Sequence, residues 1–127
     1  MDAATVLMLC ALHSFGFALF HLGFRRLFDW PRTLAGTSRP NRAIVQIANL
    51  QLAWVFAAVG LLCVLYPVEL VATPLGRAVL AGMAVFWLIR LAAQFVWLRI
   101  HHPLVHALTV LFACGVLLFA LPLAGGA

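Results

Sequence analysis

Lysine is absent from this chain, and acidic residues number three: Asp2, Asp29 and Glu69. Charged residues make up 9% of its 127 positions, against roughly 25% in soluble domains. So few carboxylates exclude paired-carboxylate acid–base sites, and neither a Ser-His-Asp set nor a glycine-rich phosphate loop is present. Cysteine is scarce as well. Cys10, Cys63 and Cys114 all fall within apolar runs, and an odd number without metal-ligand spacing argues against a disulfide framework or a zinc site. They read as small lipid- or core-facing residues. A GC-rich genome also produces an arginine-only, Ala/Leu/Gly-rich chain, so the missing lysine carries no mechanistic weight.

What is present is apolar. Hydrophobic residues make up 66% of the chain, and the mean hydropathy is +1.13. No small soluble core could hide that much apolar surface, so the composition is that of a membrane protein. Four apolar segments stand out, roughly 4–28, 42–66, 75–99 and 103–122. Each reaches the ~20 residues needed to cross a ~30 Å hydrocarbon core. No alternating strand pattern supports a closed barrel, so backbone satisfaction in lipid requires helices. The expected fold is an all-α integral membrane four-helix bundle with up-down topology, a single transmembrane domain over 1–127. The first segment follows "MDAATV", which lacks basic residues, is too long for a signal peptide, and is followed by no small-x-small cleavage site. It is expected to remain as a transmembrane helix.

The connections set orientation. The first, "RRLFDWPRTLAGTSRPNR", holds Arg25, Arg26, Arg32, Arg39 and Arg42 against Asp29, with Trp30 and Pro31 at an interfacial exit and Pro40 and Asn41 at the next helix start. The second, "YPVELVATPLGR", is about neutral, with Glu69 against Arg77, and offers Thr73 and Pro74 as an N-cap and first-turn pair. The third, "RIHHP", is short and demands a tight antiparallel hairpin. Positive charge therefore collects in the first and third connections, which the positive-inside rule places in the cytoplasm, with both termini outside. A multi-pass protein of a cell membrane, the bacterial inner membrane, fits this pattern. The net charge of +5 then reads as a topology signal and as contact with anionic lipid rather than with nucleic acid. The terminal "AGGA" reads as a small flexible tail.

Helical spacing assigns faces to the polar residues. Met83, Phe86, Arg90, Gln94 and Trp97 share a stripe on the third segment; Arg42, Gln46, Asn49 and Ala53 do so on the second. His13, Phe17, Phe20, His21 and Phe24 share a face of the first, and His102, His106 and Thr109 one of the fourth. Alternating direction then places His21, Gln46, Asn49, Arg90, Gln94 and His106 in the cytoplasmic half, with Arg90 on the order of 10–15 Å from its helix end. A central arginine costs roughly 2.5–3.5 kcal/mol even on the lenient insertion scale. No embedded carboxylate neutralises it, so its expected partners are Asn49, Gln46, backbone carbonyls, water, or an anionic or carbonyl-bearing ligand. The competing reading has Arg90 snorkelling to a lipid phosphate.

These residues point to a non-enzymatic membrane protein that acts as a partner subunit or binds a hydrophobic or anionic ligand, with Arg90, Gln94, Asn49, Gln46, His21 and His106 around the site. Arg25, Arg26, Arg32, Arg39 and Arg42 would hold it to the anionic membrane surface at about 1 kcal/mol each. One alternative is a redox protein with b-type haem or quinone between His21 and His106, which match in depth. Another is an anion pathway through Arg90. A metal-ion site is not expected. His13 and His21 lie about 12 Å apart along a helix, and Pro103 leaves His102 at the edge of the helix that carries His106. Small residues at four-residue spacing, Ala53/Ala57 and Ala78/Gly82, suit close helix packing within the chain or in a homo-oligomer.

Overall fold

The four apolar runs become four long helices in the computed structural model, which describes residues 1–125; the end of the "AGGA" tail lies outside the described residues. In chain order the helices are α1 (Ala3–Leu22), α2 (Phe24–Leu27), α3 (Trp30–Thr33), α4 (Arg39–Leu65), α5 (Pro67–Ala72), α6 (Pro74–Trp97) and α7 (Pro103–Ala124). No strand occurs among the described residues. α1, α4, α6 and α7 are each long and apolar enough to cross a membrane.

Local chemistry explains most of the boundaries. Asp2 Oδ1 accepts the Thr5 N–H at 2.9 Å and caps α1. Hydrogen bonding from Thr5 holds that carboxyl below its ordinary value. Ser38 Oγ accepts the Asn41 N–H at 3.4 Å where α4 begins. Thr73 Oγ1 accepts the Gly76 N–H at 3.0 Å, with Pro74 opening α6. At α7 the cap is a histidine: His102 Nδ1 accepts the Leu104 N–H at 3.0 Å ahead of Pro103. Both Thr-Pro and His-Pro starts match the expectation from sequence.

Other boundaries shift by a few residues, with α4 beginning at Arg39 rather than 42 and α6 ending at Trp97 rather than 99, and two differences have a visible cause. The first segment was expected to continue to residue 28, but α1 stops at Leu22. Gly23, a poor helix former, shares its N–H between Leu19 O and Phe20 O. The chain then makes two single-turn helices separated by Asp29 in the left-handed region, φ 49°. At the other end α7 runs past the expected 122 to Ala124, with Pro122 inside it. Proline cannot donate to the carbonyl four residues back. That carbonyl, Leu118 O, instead takes the Cys10 thiol at 3.2 Å, so a neighbouring helix satisfies the group the proline orphans. Arg77 donates from Nη2 to Leu123 O at 2.9 Å and caps the last turn of α7.

The chain divides into two compact units, Met1–Cys10 with Leu62–Ala127, and Ala11–Leu61. In the first, α6 and α7 pack antiparallel: Arg77 reaches Leu123, Trp87 stacks on Phe112, and Gln94 meets Val105 and Thr109. Leu80, Met83, Trp87, Leu108, Phe112 and Phe119 are buried there. α5 turns back so closely that a Cβ at Gly76 would lie 2.5 Å from Leu70 Cα.

In the second unit the end of α1 runs antiparallel to α4. Phe15 lies against Gly60, Phe17 against Phe56 (5.9 Å between ring centroids), and His21 against Asn49. Outward-facing Leu12, Leu19, Ile47, Trp54, Ile89, Phe95, Val110 and Leu117 give every long helix an exposed apolar face. Water disfavours so much apolar surface and lipid does not.

Candidate functional site

Three polar arrangements hold the residues singled out by the sequence. The first belongs to α6 and α7. Gln94, only 2% exposed, makes three hydrogen bonds. Its Nε2 donates to Val105 O at 3.0 Å and to Thr109 Oγ1 at 3.3 Å, while its Oε1 accepts from Arg90 Nη1 at 3.1 Å. A carbonyl can only accept, so Val105 fixes which end of the amide faces α7 and therefore which end faces Arg90. The guanidinium also sits over the Phe112 ring, 4.4 Å from its centroid, and Phe112 is backed by Trp87 at 5.7 Å. Arg90 is thus held by an amide and an aromatic face. The single ion pair among the described residues, Arg32 with Asp29, lies elsewhere. Seven residues separate Arg90 from the end of α6 at Trp97, about 10 Å along the helix.

Gln94 has a second role as a wall of a cavity of about 340 Å³. The other polar walls are Arg99, His101, His106 and Thr109, and Phe95, Leu98, Ile100 and Val105 complete it. His106 Nε2 and His101 Nδ1 share a hydrogen bond at 3.0 Å. His102, at the edge of α7 as Pro103 implied, is committed to the helix cap. Trp97, expected on the same stripe as Gln94, is the last residue of α6 and 82% exposed.

The second arrangement joins α1 to α4. His21 Nδ1 and Asn49 Oδ1 are 2.8 Å apart, and Asn49 Nδ2 donates to His21 O at 2.7 Å. The His21 carbonyl forces the Asn49 amide nitrogen toward it, so Oδ1 faces the ring and His21 Nδ1 carries the proton. Phe24 stacks on the imidazole at 4.2 Å and Phe56 lies at 5.2 Å.

The third lies in the first connection. Arg25 Nη1 donates to Gln46 Oε1 at 3.1 Å, Gln46 Nε2 donates to Arg42 O at 3.2 Å, and Arg42 Nη1 donates to Ala35 O and Thr37 O. A cavity of about 410 Å³ opens there, lined by Arg25, Trp30, Pro31, Leu34, Ala35, Arg42 and Gln46.

Asn49 and Gln46 hydrogen-bond to His21 and Arg25. Thr109, His101 and Phe112 complete the α6–α7 site without having been assigned to it in advance. The i,i+4 spacing of Arg90 and Gln94 was the available signal for their pairing. The described residues contain no group of three or more His, Cys, Asp or Glu side chains placed to hold a metal ion. Cys10 and Cys63 are buried and Cys114 is exposed. Comparison with family models, with curated proteins and with solved structures yields no match to this chain.

Proposed function

We propose that this chain is a small non-enzymatic, multi-pass protein of the cell membrane that binds a hydrophobic ligand carrying an anionic or carbonyl group at Arg90 and Gln94, alone or within a larger membrane complex. The observation that carries the reading is the surrounding of Arg90. A guanidinium within a candidate span is held by a neutral amide and an aromatic ring, with no carboxylate paired to it among the described residues. An intramembrane cation without an acidic partner is a functional-site signal. Gln94 links that cation to a cavity whose walls combine an imidazole pair, an arginine and a hydroxyl with apolar side chains, the mixture typical of small-molecule sites. With both termini outside, the positive-inside rule turns this cavity, which Arg99 lines, toward the cytoplasm.

The test is native mass spectrometry of the full chain released from a mild detergent. A defined adduct present in the wild type and lost in Arg90→Ala, at unchanged helicity, is the expected result. A wild-type protein that carries no adduct overturns the reading and leaves Arg90 an assembly role.

A further inference from the structure

The cavity in the first connection has a different charge balance from the one beside Gln94. Residues 11–61 contain Arg25, Arg26, Arg32, Arg39 and Arg42 against Asp29 alone, and Asp29 Oδ2 is taken by Arg32 Nε at 2.6 Å. No acid lines the cavity, yet two of its walls are guanidinium groups. Both are anchored through the same atom. Arg25 uses Nη1 toward Gln46, and Arg42 uses Nη1 toward the carbonyls of Ala35 and Thr37. Among the described residues the Nε–H and Nη2–H donors of each arginine have no protein acceptor. That edge is the planar fork that matches two oxygens of a phosphate.

The anchoring is itself rigid. Thr33 Oγ1 donates to Phe28 O and Asp29 O, and Thr37 Oγ1 donates to Leu34 O, tying the connection to itself. Gln46 couples both arginines, accepting from one side chain and donating to the backbone of the other. Trp30 and Leu34 supply an apolar wall beside the two charges. Tryptophan is enriched where a membrane meets water.

From this geometry we infer a phosphate-oxyanion site formed by Arg25 and Arg42, with Gln46 as positioning residue and Trp30 as the apolar wall. A volume of about 410 Å³ accommodates a phosphodiester headgroup with its glycerol carbons as well as free phosphate. The inference rests on the membrane placement of the chain but not on the Arg90 site.

The experiment titrates delipidated full-length protein in detergent with dioctanoyl phosphatidylglycerol, with inorganic phosphate, and with phosphate-free dioctanoylglycerol, counting adducts by native mass spectrometry. The expected result is a single phosphatidylglycerol adduct whose apparent affinity falls about tenfold or more in Arg25→Gln and in Arg42→Gln, the loss of one charge-assisted fork each. Arg39→Gln, outside the cavity, is expected to bind as wild type. Because Arg42 also ties down the connection, Arg25→Gln is the deciding variant, and its melting temperature is expected to stay within a few degrees of wild type. Inorganic phosphate binding with the same Arg25 dependence supports the site and assigns free phosphate as its source. Equal binding of dioctanoylglycerol, or affinity unchanged in Arg25→Gln, overturns it. Arg90→Ala separates the two sites: it is expected to leave this adduct intact, whereas Arg25→Gln leaves the Arg90-dependent adduct intact.

Discussion

Replacing Gln94 with leucine keeps its volume and removes three hydrogen bonds at once. The two donated to α7 are interhelical bonds within candidate spans, worth on average about 0.6 kcal/mol each and at most about 1.7. The third is charge-assisted, worth about 1.5–3 kcal/mol, and its loss leaves Arg90 with the Phe112 ring alone, a contact worth about 0.5–2 kcal/mol. Gln94→Leu is therefore expected to cost about 3–4 kcal/mol. Arg90→Leu forfeits the same bond but also removes a charge whose embedding costs roughly 2.5–3.5 kcal/mol, so it is expected to be close to neutral. In the Arg90→Leu background no cation remains to be stranded, and Gln94→Leu should then cost only about 1 kcal/mol. The double-mutant cycle thus predicts a coupling of about 2–3 kcal/mol, read from reversible unfolding in mixed detergent micelles. Additivity within about 0.5 kcal/mol would refute the argument that Gln94 exists to carry Arg90.

At Gly76 an added methyl would meet backbone, 2.5 Å from Leu70 Cα and 2.7 Å from Leu70 O; Gly76→Ala is expected to destabilise by about 1–3 kcal/mol, and an unchanged melting temperature would rule out the close approach of α5 to α6. Cys10→Ala strands Leu118 O beside Pro122 and is expected to cost about 0.6–1.7 kcal/mol, which Cys10→Ser recovers in part; identical melting of the alanine and serine variants would show the thiol bond to be idle.

The sequence was informative where a signal is local. Four long, mainly apolar runs announce four long helices, and a threonine or histidine directly before proline announces where α6 and α7 begin. The stripe of Arg42, Gln46, Asn49 and Ala53 follows from a period of 3.6, and all four are at least partly buried. It was uninformative where the answer depends on another helix. His21 and Asn49 are 28 residues apart, and no periodicity within either segment reveals the register that pairs them. The end of α1 escaped for a different reason. "FHLGFRRLF" keeps an apolar, helix-compatible pattern on both sides of Gly23, so the break hangs on one glycine and on an aspartate in the left-handed region. Pro122 points the same way: a proline that looks like a terminus stays inside α7 because Cys10, distant in sequence, supplies the missing donor.

The link between α6 and α7 spans residues 98–102, which bears on how the chain enters a bilayer during synthesis. An arginine-bearing segment presented alone would have to partition with an exposed cation and a free amide. With α7 following almost at once, Val105 and Thr109 emerge only a few residues behind Gln94, and the two segments can leave the insertion machinery as one hairpin with the amide already engaged. Lengthening that link with a flexible spacer would separate the two arrivals in time, making Arg90 a burden on insertion while leaving the finished pairing of α6 with α7 unaltered.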